Sequence, residues 1–246
     1  MTALDPHLIE PANLSAGQRD EMFALMHQYY ANMDRAAFEG DLDEKRWVIY
    51  LSSPETGRLC GFSTQTLLEV TVDSRPVRAL YSGDTIMDQQ HRASSALTRW
   101  WGRLALSLID AHGGDDLYWF LISKGYKTYR FLPVFFNEFF PRFDCPTPPQ
   151  AARVLVALAA HKFPNNFDPA RGIIRAQEGG CRLRDGVAEL SEQRMRDPHV
   201  RFFAEANPGH AQGDELCCVA PLTRDNFKAA AYRAIGSEAD DFTVPG

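Results

Sequence analysis

Asp84 follows Gly83 inside the run 77–87 (VRALYSGDTIM), which otherwise reads as a strand. A buried carboxylate without a partner is costly. Asp84 therefore needs a role, either as a proton acceptor or as the partner of an arginine such as Arg78. Glu69, on the preceding strand-like run, is a second carboxylate of this kind. A few residues on, Gln90-His91-Arg92-Ala93-Ser94-Ser95-Ala96 opens a helical pattern. A helix N-terminus leaves about four backbone N–H groups unpaired and carries roughly half a positive charge. Both features attract phosphate and diphosphate. The small side chains of Ala93, Ser94, Ser95 and Ala96 let such a ligand reach the backbone. His91 and Arg92 add cationic or donor groups, and the two serines add hydroxyls. Capping of the helix by Ser94 or Ser95 is the plainer alternative. The combination, placed between a strand and a helix, favours anion binding.

These residues need elements to hold them. Residues 4–12 read as an extended lead-in. Ser15 is an N-cap for a helix over 18–38, with Met22, Leu25, Met26, Tyr29, Tyr30 and Met33 at 3- and 4-residue spacings and a stop at Gly40. Residues 41–46 suit a second, short helix. Strands are expected at 47–51, 58–71 and 77–87, joined by turns at 52–57 and 73–76, which makes an antiparallel meander. A helix follows over 93–111, with Leu97, Trp100, Trp101, Leu104, Leu108 and Ile109 on its apolar face and a C-cap signal at His112-Gly113-Gly114. The run 117–122 (LYWFLI) reads as a strand buried on both faces. Further on, helices are expected at 124–131 (closed by Pro133), 150–161 and 186–197. Loops are expected at 163–169 and 178–180. A C-terminal hairpin is expected from 200–206 and 215–222, with a last helix over 225–234 and an acidic tail after Gly236. The fold class is α+β (mixed α/β), one domain over 1–246. Its sheet is mainly antiparallel, with one parallel step around the helix at 93–111.

Composition narrows the function classes. Of 246 residues 45% are hydrophobic and 24% charged, as in a soluble globular protein. The net charge of -6 weighs against a dedicated nucleic-acid binder. No apolar run approaches the roughly 18 residues of a membrane span. The start, MTALDPHLIEP, carries neither a basic n-region nor an apolar h-region, so a signal peptide is not expected. Five cysteines without a CxxC pair fit a reducing cytoplasmic setting, and the adjacent Cys217 and Cys218, in an apolar run, read as buried free thiols. No His/Cys spacing suggests a metal site. The GxSxG, GxxxxGK[ST] and GxGxxG motifs are absent.

The order of elements resembles the GCN5-related N-acetyltransferase (GNAT) superfamily. In that family a meander's last strand leads into a helix whose N-terminus holds the pyrophosphate of coenzyme A, through the motif Gln/Arg-x-x-Gly-x-Gly/Ala. The matching stretch is Gln90 to Ser95: Gln90 fits the first position, and Ala93 and Ser95 stand where glycines are usual. The resemblance covers most of 1–140 and resumes near 200–222, after an insertion at about 146–200. It implies an N-acyltransferase that moves an acyl group from acetyl-CoA or another acyl-CoA to the amine of a small-molecule or peptide acceptor, without a metal. A homodimer is compatible with it. Gly83 would mark the bulge that splays the strand, and Thr85, Ile86 and Met87 would line the pantetheine arm. Asp84 and Glu69 become candidates for the base. Tyr129 is the first choice and Tyr126 the second for the proton donor on the helix after the fifth strand. Phe131, Phe135, Phe136, Phe139 and Phe140 are core, or an apolar acyl pocket. An acyl carrier protein as donor would call for a basic patch, for which Arg92, Arg99 and Arg103 are candidates. A non-catalytic module binding CoA or a metabolite is the third reading. The insertion is expected to shape the acceptor site.

Overall fold

The computed structural model describes residues 3–112, 116–187, 189–236 and 244. Gly113 and Gly114 of the expected cap, and nearly all of the acidic tail, lie outside them. The chain opens with β1 (Asp5–Ile9) and α1 (Ala16–Tyr29). Ser15 caps α1 in a capping box with Gln18. The two-residue β2 (Tyr30–Ala31) and α2 (Arg35–Asp43) follow. The meander is β3 (Trp47–Ser52), β4 (Leu59–Val72) and β5 (Arg75–Met87). Next come α3 (Ala96–His112), β6 (Leu117–Ser123), α4 (Tyr126–Tyr129), α5 (Phe131–Phe135) and α6 (Pro149–Lys162). Short strands β7 (Phe167–Asp168), β8 (Ile173–Ile174) and β9 (Arg182–Leu183) precede α7 (Pro198–Ala206), β10 (Glu215–Pro221) and α8 (Ala229–Ile235).

Eight strands form one sheet in the order β1-β3-β4-β5-β6-β10-β8-β7, and β2 pairs with β9 separately. Every pair is antiparallel except β5–β6, whose connection runs through α3. This is the mainly antiparallel sheet with one parallel step that the sequence implies. Alternation along β6 sorts its side chains. Leu117, Trp119 and Leu121 enter a cluster with α3, α4, α7 and α8, while Phe120 enters one with α6. Val48 and Tyr50 of β3 pack against α1 and α2.

Several expected elements differ. The helix expected over 18–38 is two helices. Tyr30 and Ala31 leave α1 to pair with Leu183 and Arg182, Asn32 takes a left-handed φ of 58°, and Asp34 caps α2. The apolar spacing continues across the break because both helices bury the same side against β3. Gly40 lies inside α2 rather than ending it. Pro133 sits within the first turn of α5, where its missing N–H costs nothing. Residues 186–197 form no α-helix among the described residues, only a 3-10 turn at Arg194–Arg196. Residues 200–206 belong to α7, not a strand: Asp197 caps it, Pro198 opens it, and Val200 and Phe203 are buried at helical spacing. The C-terminal hairpin is therefore absent. β10 instead lies between β6 and β8 in the middle of the sheet.

Among the described residues no helix is long and apolar enough to cross a membrane. All five cysteines are free.

Candidate functional site

Parallel pairing of β5 with β6 runs from Arg78↔Leu117 to Ser82↔Leu121 and stops. Beyond that point β5 stays with β4 as far as Met87↔Gly61, while β6 continues beside β10 to Ser123↔Leu216. The two central strands part, and among the described residues the β6-facing edge of residues 83–87 has no strand partner. The β4–β5 register shifts at the same place. Ser63 faces Thr85 and Gln65 faces Ser82, so Gly83 and Asp84 together oppose Thr64. This is a β-bulge, the device that re-aims a side chain next to a site. Gly83 is needed there because a Cβ would fall 2.6 Å from Thr64 Oγ1 and 2.8 Å from Lys45 Cε. Gly83→Ala is expected to cost about 1–2 kcal/mol by overpacking, read by chemical denaturation.

A polar hub holds the point of divergence. Ser82 Oγ donates to Gln65 Oε1 (2.7 Å) and accepts from Trp101 Nε1 (3.1 Å) and Trp119 Nε1 (2.9 Å). Gln65 Nε2 in turn donates to Ser63 Oγ, which lies 2.6 Å from Thr85 Oγ1. One network thus links β4, β5, α3 and β6 where the splay begins.

Half-buried Asp84 stands on the bulge within electrostatic reach of Asp41, Lys124, Lys45 and Glu215. Burial first and Asp41 second push its carboxyl up to about 6, against the pull of Lys124 and Lys45. Lys124 directly follows β6 and pairs with Glu215 at 3.1 Å; its ammonium is 5.8 Å from the centre of the Tyr30 ring. Burial opposes the charge of Lys124, but Glu215, Cys181, Tyr30 and Asp84 outweigh it and hold the ammonium above its usual range. Burial also raises the Tyr30 phenol and keeps it protonated. Lys45 is buried to 0% exposure and bonds both the carbonyl and the carboxylate of Asp41, at 2.9 and 2.5 Å.

A strap over residues 180–187 crosses beside this cluster. Its β9 pairs with β2, Arg184 N–H donates to Tyr29 O, and Val187 O accepts from Lys127 Nζ at 2.6 Å. The strap puts Cys181 within electrostatic reach of Lys124 and Asp84. Part of the expected insertion thus reaches the site.

Past Met87 the chain makes a 3-10 turn at Gln89–His91, capped by Asp88, and α3 starts at Ala96 rather than Ala93. Ser94 Oγ accepts from Ala96 N–H at 3.2 Å, so Ser94 does cap the helix. Gln90, His91, Ala93, Ser94, Ser95 and Ala96 also line one cleft of about 510 Å³, with Arg99 and Trp100 on its wall. Of the expected anion-binding residues only Arg92 is absent from it. Its guanidinium lies 5.1 Å from the centre of the Tyr29 ring. The cleft offers a helix start, small side chains and a hydroxyl, the equipment a phosphate needs.

The remaining candidates are elsewhere. Tyr129 is 0% exposed, its hydroxyl donates to Pro141 O at 2.9 Å, and Phe139, Phe202 and Phe203 surround it. Tyr126 is buried in the same core. Tyr129→Phe is expected to cost about 1 kcal/mol of stability, one neutral hydrogen bond, and to leave turnover unchanged; a coupled denaturation and rate assay checks both. Glu69 pairs with Arg78 at 2.7 Å on the exposed β4–β5 ribbon, so Arg78 is taken and does not partner Asp84. Phe136, Phe139 and Phe140 are core, and Phe131 is exposed. Arg92 precedes α3, so it shares no helix face with Arg99 and Arg103.

Sequence reasoning missed Tyr30, Lys45, Lys124, Cys181 and Glu215. The one signal present was a charge directly flanking an apolar run, as at Lys124 after LYWFLIS and Glu215 before LCCVAP. Among the described residues no group of three or more His, Cys, Asp or Glu could hold a metal ion.

No family model matches the chain, and no curated protein matches it. Among solved structures, 55% of the chain is similar to a protein of Enterococcus faecalis V583 described as a "Probable N-Acyltransferase", at 15% identity and TM-score 0.40. That alignment spans 33% of the other chain. A second likeness covers 60% of this chain and 100% of an aminoglycoside acetyltransferase from an uncultured soil metagenomic sample, at 15% identity and TM-score 0.39. A third covers 50% of this chain and 30% of Saccharomyces cerevisiae N-myristoyltransferase with bound myristoyl-CoA, at 14% identity and TM-score 0.36. At these TM-scores the likenesses carry no weight of their own.

Proposed function

We propose that the chain is an N-acyltransferase that moves an acyl group from an acyl-CoA to the amine of a small-molecule or peptide acceptor. The observation that carries this reading is the splay. It leaves a backbone edge at residues 83–87 between a loop suited to phosphate and a carboxyl that burial pushes up to about 6. The pantetheine arm runs along that edge, where Thr85 and Met87 supply backbone hydrogen bonds while the groups of Ile86, expected to join them, face β4, and the diphosphate sits at residues 89–96.

Above about pH 6 Asp84 is a carboxylate and accepts a proton from the attacking amine. The C–N bond forms and the carbonyl becomes a tetrahedral oxyanion. Lys124, which stays charged, stabilises the negative charge that builds up. The C–S bond then breaks, and the proton held by Asp84 passes to the leaving thiolate, which restores the carboxylate. The phenol of Tyr30, held protonated in the same cluster, relays this proton, giving its own to the thiolate and taking the one on Asp84, and it replaces Tyr129 and Tyr126 as the donor.

The test is thiol release from acetyl-CoA and longer acyl-CoAs against a panel of primary amines. Acceptor-dependent release, abolished in Asp84→Asn, is expected. Absence of release with every pair, together with absence of CoA binding, would contradict the reading.

A further inference from the structure

Basic residues gather around the strap, and the acyl chemistry leaves them unused. Arg92 comes from the loop before α3, Lys127 from α4 and Arg194 from the turn before α7. Lys127 Nζ bonds a neutral carbonyl, Val187 O. Val187 N–H donates to Arg184 O, and Arg184 N–H donates to Tyr29 O at 2.8 Å. A four-residue run of backbone therefore ties the ring beneath Arg92 to the ammonium of Lys127. Arg194 lines a cleft of about 290 Å³ together with Arg130, which directly follows α4.

Nearby arginines have carboxylate partners: Arg130 pairs with Asp197 at 3.2 Å, and Arg182 with Asp185 at 3.2 Å. Among the described residues no carboxylate pairs with Arg92, Lys127 or Arg194, in a chain with 32 acidic against 26 basic residues. Burial first, then Arg92 and Arg194, pull the Lys127 ammonium below its ordinary value, in keeping with an arginine on either side of it. Like charges gathered without a counter-ion are unfavourable in the free protein, and a bound anion relieves that repulsion.

We propose that Arg92, Lys127 and Arg194 bind a phosphate monoester of the acyl donor, the 3′-phosphate on the ribose of coenzyme A. This rests on the donor proposed above. The diphosphate takes the start of α3, so the third phosphate needs a separate site, and Arg92 belongs to the same loop. A monoester is close to dianionic at neutral pH. Arginine forks and a lysine ammonium suit it better than backbone amides alone.

Calorimetric titration of coenzyme A and of dephospho-coenzyme A, with wild type and Arg194→Ala, tests this. Arg194 is exposed, and a matching unfolding curve checks that the variant is intact. Wild type is expected to bind coenzyme A about tenfold or more tightly than the dephospho form. Arg194→Ala is expected to collapse that ratio while leaving the dephospho affinity unchanged. Equal wild-type affinities, or equal weakening of both ligands by the substitution, would overturn the proposal and leave the donor standing. Failure of wild type to bind either ligand would overturn the donor as well.

Discussion

Asp84→Asn is expected to lower turnover by about 10²–10⁴-fold, the range for losing a general base, with acyl-CoA binding retained. The amide preserves the shape of the carboxyl and its place on the bulge, so the fold and the strand edge at residues 83–87 are untouched. The pH dependence separates this role from a structural one. Wild-type activity should rise with pH through about 6, as the raised carboxyl loses its proton, and then level off. The variant should lack that limb. The sign on stability is the reverse of the usual one for a carboxylate. The fold favours the protonated form, so this group's contribution is fully present below the ordinary aspartate range and is lost as pH rises through about 6. Steady-state rates from pH 5 to 8 on both proteins check the assignment. An identical acid limb in the variant would show that another group titrates.

Ser82→Ala should be among the most destabilising single changes, at about 3 kcal/mol. One hydroxyl serves Gln65 Oε1 and the indole N–H groups of Trp101 and Trp119. Its removal deletes three hydrogen bonds and leaves polar groups unpaired beside a closed apolar cluster, at about 1–3 kcal/mol for each group left fully buried. Gln65 and Trp119 are themselves buried. Because the hub ends the β5–β6 pairing, the change should also loosen the splay and weaken donor binding, which a cavity elsewhere in the core would not do. Denaturant titration gives the first effect and calorimetry the second. A loss below about 1 kcal/mol, the value of an ordinary exposed hydrogen bond, would show that water replaces the hydroxyl.

The meander, the α3 crossover and the bulge were legible because each leaves a local mark. Turn residues separate the strands, the hydrophobic period changes after Met87, and Gly83-Asp84 interrupts an apolar run. Asp84 and the loop at 90–96, on which the proposed function rests, carry the same kind of local mark. The donors were not. Tyr129 and Tyr126 occupy the helix where a donor is expected, but their rings complete the core between β6 and α7. Tyr30 reads as one more apolar position of a long helix; only its pairing with Leu183, more than 150 residues away, turns it toward Asp84. Lys124, Glu215 and Cys181 meet because β10 joins β6 across the sheet and the strap returns over β2. Long-range pairings of this kind leave no periodicity in the sequence. The misreading of α7 has a related cause: a seven-residue apolar segment fits either period until the cap at Asp197 and Pro198 is given weight.

The most direct test of the central claim, that the splay and the loop beyond it hold an acyl-CoA, is amide hydrogen exchange with and without saturating coenzyme A. Residues 83–96 should exchange more slowly in the complex, because the ligand covers them and accepts from the N–H groups not already bonded to β4 or within the loop, while the β4–β5 ribbon around Glu69 and Arg78 should be unchanged. Unaltered exchange across residues 83–96 at ligand concentrations up to the millimolar range would contradict the claim.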